Sequence, residues 1–266
     1  MFGLSPKLPV TDEDRLWVDE GFNRLEKLLG RRRMLEAKVI LPTAEDFPDA
    51  YDASPAAAEK LLDRLCTYMK VDRHKLEFEI FPDEAEELRK NLSHWRGKSA
   101  GPAGVYCHGG SKVYNSEADE QPREDPVVAV LSTKLKDPLV LVATLAHELG
   151  HVILLGGGLM SPKASDHEPM TDLLTVYLGL GVFTANSAAR FTQYQDERKQ
   201  GWSMQRLGYL PEEVFGYALA RFAVERGEEK SEWAKHLSTN VRAYYKRSRH
   251  WLARNPHPIM LARPIG

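Results

Sequence analysis

The sequence predicts an α+β protein with a small N-terminal sheet and a helical C-terminal half. Alternating and β-branched runs fall before residue 136, at 37–42, 76–81, 104–107 and 127–132. From residue 137 onward apolar residues recur at helical spacing. Between the two lies a long apolar run, Leu139 to Leu155, interrupted by polar groups at only a few positions. A single domain over 1–266 is expected, with 1–136 its α/β part and 137–266 its helical part.

Each element has its own local reason. Asp12 to Leu29 carries Leu16, Val18, Phe22, Leu25, Leu28 and Leu29 close to one helical stripe. Ala37 to Pro42 reads as a strand. Ser54-Pro55 starts a helix running to about Lys70, with Ser as cap and Pro in the first turn. Leu76 to Phe81 alternates, and Gly104 to Cys107 is a further short strand. Gly109 to Pro126 is polar and acidic and reads as a solvated loop, with a flap over a cleft as the alternative. Val127 to Ser132 is β-branched and apolar, bounded by Pro126 and Lys134. That makes four strands ahead of the apolar run. Asp137-Pro138 supplies a helix cap and first-turn proline, and Gly156-Gly157-Gly158 supplies a stop. A second apolar helix follows Ser165 or Asp166, with Pro169 in its first turn. Pro211-Glu212-Glu213 opens another. Trp233, Leu237, Val241, Tyr244, Ser248 and Leu252 form a last amphipathic stripe.

Composition sets outer limits. With 42% hydrophobic and 28% charged residues, the 266-residue chain can bury a proper core. A net charge of −2 gives no electrostatic footprint for nucleic acid. Six Lys or Arg and no acid lie between Trp233 and Arg254, but they read as a solvated helix face with no nucleic-acid motif beside it. The two cysteines make no disulfide framework: Cys66 falls on an apolar helix face as a buried thiol, and Cys107-His108 is one weak metal pair. The first residues lack the apolar core of a signal peptide and no stretch reads as a membrane span, so a soluble cytoplasmic protein is expected.

The chemistry concentrates at His147-Glu148-Leu149-Gly150-His151. Two histidines four apart share one helix face and can point at one metal ion, while Glu148 sits beside them. Two imidazoles on zinc with an adjacent carboxylate form the arrangement that activates water for peptide hydrolysis. Without a ligand, three polar groups on so apolar a helix would each need a protein partner. A second segment, Glu168-Pro169-Met170-Thr171-Asp172, begins 17 positions after His151 and places Glu168 and Asp172 on one face.

From Val127 to Phe183 the chain resembles the gluzincin metallopeptidases, the thermolysin-like clan, on H-E-L-G-H followed by E-P-M-T-D. The resemblance implies a zincin-like fold with zinc between two helices. It implies His147, His151 and Glu168 as ligands, Glu148 as general base, and Asp172 as hydrogen-bond partner of the first histidine. It also implies that the Val127–Ser132 strand edges the site and pairs with an extended peptide. Glu168 has a competing role as the acid of a capping box with Ser165, in which case Asp166, His167 or Asp172 is the substitute ligand.

Three protein ligands leave a fourth position open, as in catalytic rather than structural zinc. The function expected is zinc-dependent hydrolysis of peptide bonds in a peptide or protein substrate. Two alternatives stand beside it: a metal-retaining regulatory or interaction protein, and a zinc hydrolase of non-peptide amides or esters. Glu148 argues against the first, because a structural site needs no base. Tyr194, Tyr209, Tyr217 and Arg190 are candidates for steadying an oxyanion. Neither cleavage specificity nor oligomeric state is encoded legibly.

Overall fold

In the computed structural model, residues 7–81, 99–100, 104–107, 125–196 and 210–256 are described, with backbone alone at 99–100, 104–105, 107 and 189–196. Helix α1 spans Asp12–Leu29. The Thr11 hydroxyl accepts from the Asp14 N–H at 3.1 Å, and Asp12, Glu13 and Asp14 complement the positive end of the helix. Its buried face runs through Val18, Phe22 and Leu25. Leu16, expected on that stripe, is 51% exposed, and Asp19 is buried instead. Asp19 is held there by Tyr217 at 3.0 Å and Arg221 at 3.1 Å, so a charge occupies a face that spacing assigns to apolar residues.

Helices α2 (Arg31–Leu35) and α3 (Pro55–Met69) complete the N-terminal helical layer. Ser54 caps α3 through the Ala57 N–H at 3.2 Å, as its Ser-Pro start predicts. The strand expected at 37–42 does not form. That segment runs as irregular chain whose backbone bonds go elsewhere: Ile40 N–H donates to Gly179 O at 2.9 Å and Leu41 N–H to Asp46 at 2.7 Å. Ile40 is buried all the same, so apolar composition here satisfies the helical core and not a sheet.

The sheet has four strands in the order β1-β4-β3-β2: β1 Glu77–Phe81, β2 Ser99–Ala100, β3 Gly104–Cys107 and β4 Val127–Leu131. β4 pairs in parallel with β1, Phe78 opposite Val128, and antiparallel with β3, Tyr106 opposite Val128. This overturns the expectation that Val127–Ser132 is an edge open to an extended peptide. Both sides of β4 carry a strand, and Val127, Val128, Ala129 and Val130 are all buried. A strand buried on both faces needs the near-continuous β-branched composition seen here.

The C-terminal half is helical. Helix α4 spans Pro138–His151, capped by Asp137, whose side chain accepts from Val140 N–H at 3.2 Å. The chain continues as one π-helical stretch, Val152–Gly156, before the glycines stop it. Helices α5 (His167–Tyr177), α6 (Gly181–Asp196), α7 (Glu212–Glu225) and α8 (Thr239–Arg254) follow. One hydrophobic cluster runs through both halves, from Val10 to Leu252, so the sheet and the helices share a core. The last stripe departs from its expected register. Trp233 lies on a separate 3₁₀ turn, and Tyr245, not Tyr244, turns inward beside Val241, Ser248 and Leu252.

Pro138–Gly156 is long and apolar enough to cross a membrane by length and composition, which the sequence reading passed over. Within the fold 78% of that stretch is buried against protein. The Gly109–Glu124 loop, His108 and Tyr209 lie outside the described residues.

Candidate metal centre

Helix α4 presents His147 and His151 one turn apart on the face that meets α5. The approach of the two helices depends on Gly150: a Cβ there would sit 2.7 Å from Thr171 Cγ2. Glycine at this position of the motif therefore lets the first turns of α5 reach the histidines. Gly156 plays a similar part on the other side, where a Cβ would meet the Tyr106 hydroxyl at 2.8 Å. The Tyr106 ring stacks on His151 with centroids 6.0 Å apart and walls that side of the site.

Three donor groups converge. His147, His151 and Glu168 offer ligand atoms that all lie within 4.8 Å of one another. Glu168 Oε2 is 3.0 Å from His147 Nε2 and 3.3 Å from His151 Nε2. Donor atoms about 2.0–2.1 Å from a tetrahedral zinc lie roughly 3.3 Å from each other. Glu168 thus does not act as a capping-box acid: its carboxylate is turned to the histidines, and Asp166 at the helix cap makes no side-chain capping bond.

Each ring is fixed by a bond behind it. Asp172 Oδ1 accepts from His147 Nδ1–H at 2.8 Å, while Asp172 Oδ2 accepts from Leu210 N–H at 2.9 Å. Thr171 donates its hydroxyl proton to His167 O at 2.8 Å, so the same oxygen accepts from His151 Nδ1–H at 3.1 Å. Both Nδ1 atoms therefore carry protons, and both Nε2 atoms face the Glu168 carboxylate. Against the lowering effect of burial, Asp172 and Glu168 hold the His147 ring well above its usual range, so a proton on Nε2 bridges it to Glu168 in the metal-free fold, and a bound cation would take that proton's place. The sequence reading assigned Asp172 its place but missed Thr171. The signal was present, since Thr171 lies four residues from His167 and next to Asp172, yet a threonine inside an apolar helix is ordinarily read as core.

Electrostatics separates the roles. Burial drives His151 down to about 4, so its ring is neutral and able to ligate at neutral pH. Burial raises Glu168, but bonds from His147, His151 and His167 outweigh it and hold the carboxylate well below its usual range. Burial also pushes Glu148 up to about 8. Its Oε2 is buried and has no hydrogen-bond partner among the described residues. A carboxylate kept inside the fold with an orphaned oxygen fits a site completed from outside the chain, and the His-His-Glu donor set suits zinc.

Glu148 also makes a stability prediction for the metal-free protein. Between pH 4.5 and about 8 the folded chain holds a proton that the unfolded chain has released, so stability falls as pH rises through that window. Glu148→Gln removes the effect. In chelator the variant should match the wild type near pH 4.5 and exceed it by up to about 5 kcal/mol above pH 8, at about 1.36 kcal/mol per pKa unit. Urea denaturation at the two pH values checks this, and an equal difference at both would refute it.

A second prediction ranks the supports. Glu168→Ala should abolish tight zinc binding. Asp172→Ala and Thr171→Val should each weaken it only about 10- to 100-fold. Zinc titration with a chromophoric competitor decides, and Asp172→Ala losing more than Glu168→Ala would exchange their roles.

Of the oxyanion candidates, Tyr217 is committed to Asp19 in the buried charge network at 3.0 Å. The side chains of Arg190 and Tyr194, like all of Tyr209, lie outside the described residues. A cavity of about 260 Å³ lies elsewhere, between Phe47, Leu61, Leu139, Val142 and Phe183 at the start of α4, and shares no residue with the metal cluster. Comparison with known proteins finds no family model that matches the chain, and no curated protein or solved structure similar to it.

Proposed function

We propose that the protein is a zinc-dependent hydrolase of the zincin type that cleaves peptide bonds. The convergence of His147, His151 and Glu168 beside the orphaned, buried Glu148 carries this reading. His147, His151 and Glu168 would hold the ion. When bound, zinc polarises the scissile carbonyl and lowers the pKa of a water towards about 7. Glu148 is one residue past His147, about 100° round the helix, which sets it beside the ion rather than on it. Its carboxylate takes a proton from water at Oε2 and returns it to the leaving amine. Burial favours this exchange, because it brings the Glu148 carboxyl close to neutral pH, where a group both accepts and releases a proton.

Asp172 and Thr171 hold the imidazoles in one tautomer and one orientation throughout. Tyr106 and the core around α4 exclude water from the closed side of the site. The test is cleavage profiling of the zinc-loaded protein on a proteome-derived peptide library, beside a panel of non-peptide amides and esters. New N-termini that disappear with chelator support peptide hydrolysis. Turnover confined to the non-peptide panel would move the substrate class. No turnover on either, with zinc bound, would favour a metal-retaining regulatory protein.

A further inference from the structure

We infer that His167 is a third imidazole donor to the same metal, closing the site at rest and yielding its place to substrate. The inference rests on the reading that His147, His151 and Glu168 hold zinc. Three rings surround the Glu168 carboxylate, and all three are prepared in the same way. His147 Nδ1 is bonded to Asp172, His151 Nδ1 to Thr171, and His167 Nδ1 to Ala164 O at 2.8 Å. A carbonyl oxygen only accepts, so His167 Nδ1 carries a proton, and Nε2 is the atom it can offer to an ion. That Nε2 lies 3.3 Å from Glu168 Oε1, as the other two Nε2 atoms lie 3.0 and 3.3 Å from Oε2. A histidine serving only as a helix-terminal surface residue has no reason to share this pattern.

Thr171 joins His167 to the site mechanically. One hydroxyl bonds both the His151 ring and the His167 backbone carbonyl, so it ties the His151 ring to the turn that carries His167. The His151 and His167 rings lie 6.0 Å apart, centroid to centroid.

His167 also differs from the other two in the way a displaceable donor should. Its side chain is 17% exposed, against 4% for His147 and 0% for His151. It stands on the solvent side, where a substrate must enter. It is not part of the tight cluster of ligand atoms, so its ring must tilt about the Ala164 bond to join the set when the ion is bound. Four protein donors make a closed site of the structural kind, whereas three leave the open position that catalysis uses. A single chain can therefore pass between the two by moving one ring at the mouth of the site. This gives the proposed hydrolase a resting state in which Glu148 has no activated water to act on, and it makes substrate entry the opening step.

Zinc-edge X-ray absorption on the full-length, zinc-loaded protein without substrate tests the assignment, because imidazole rings are counted by their multiple scattering. Three imidazoles are expected in the wild type. His167→Gln and His167→Ala should keep zinc and show two. Two imidazoles in the wild type would overturn the inference while leaving the zinc site itself standing, and no bound zinc would overturn both. Three imidazoles persisting in both variants would assign the third ring to another histidine and overturn it as well. The wild-type count decides even where a variant folds poorly.

Discussion

Protein carrying both His147→Ala and His151→Ala should contain no zinc, where the wild type should carry about one ion per chain. The expectation follows from the way the ligands are built in. Both rings are essentially inaccessible, both have their Nδ1 committed to a neighbour, and both turn Nε2 to the same Glu168 oxygen. Removing them leaves Glu168 with His167 as its remaining imidazole neighbour among the described residues, and one carboxylate with one ring does not make a tight site. The double variant also strands the Asp172 carboxylate in the core with Leu210 N–H as its remaining bond, so some loss of stability will accompany the loss of metal. Zinc should therefore be measured by elemental analysis on the folded fraction after size exclusion. Wild-type protein that holds no transition metal, and takes up none when zinc is added, would end the metal reading altogether.

What the sequence reveals about this site, and what it hides, follows from range. Asp137-Pro138, the apolar run and the glycine stop are local signals, and the helix they describe forms between Pro138 and His151 with its cap in place. The four-residue spacings of His147/His151 and Glu168/Asp172 are local too, so the face each pair shares was legible. The meeting of the two faces depends on Gly150, whose role is visible only once Thr171 is seen against it. Thr171 was hidden for the same reason, while His167 was legible only as a substitute for Glu168. A threonine becomes a support of the site through its neighbours in space, and inside an apolar helix it reads as core.

The errors share a cause as well. Val127–Ser132 reads as a strand in either of two positions, and only the pairing with β1 and β3 makes it central and not an edge. Ala37–Pro42 has strand composition, but its donors are captured by Gly179 and Asp46, so apolar burial was read correctly and backbone partner was not. Leu16 and Asp19 exchange places on α1 because a charged network reaching across to Arg221 outweighs local amphipathicity. Periodicity registers which residues are buried on average, and it does not register a salt bridge 202 positions away.

The substitution with the largest expected effect on activity is Glu148→Gln. It should retain zinc and fold, and it should lower kcat/KM by at least about 10²- to 10⁴-fold, the usual contribution of a positioned acid–base group. Three features of Glu148 combine to make this so. It is offset from the ligand direction by its place on the helix, so losing its charge does not remove a donor from the metal. It is buried, and one of its oxygens has no hydrogen-bond partner among the described residues, which leaves that oxygen available to a water under the proposed mechanism. Glutamine has nearly the same shape and fills the same space, but its amide cannot take a proton at neutral pH.

The two readouts must be taken together. A variant that loses zinc and activity equally would make Glu148 a ligand or a structural prop. A variant that keeps zinc and also keeps cleaving the wild-type substrates would remove it from the chemistry, and with it the assignment of this helix to proton transfer. The expected pairing, zinc retained and turnover lost, is also the one in which the metal-free variant gains stability relative to the wild type as pH rises. A single carboxyl held against its own burial accounts for both expectations: burial that costs the metal-free fold stability above neutral pH also brings Glu148 to the range in which the proposed proton transfer would operate.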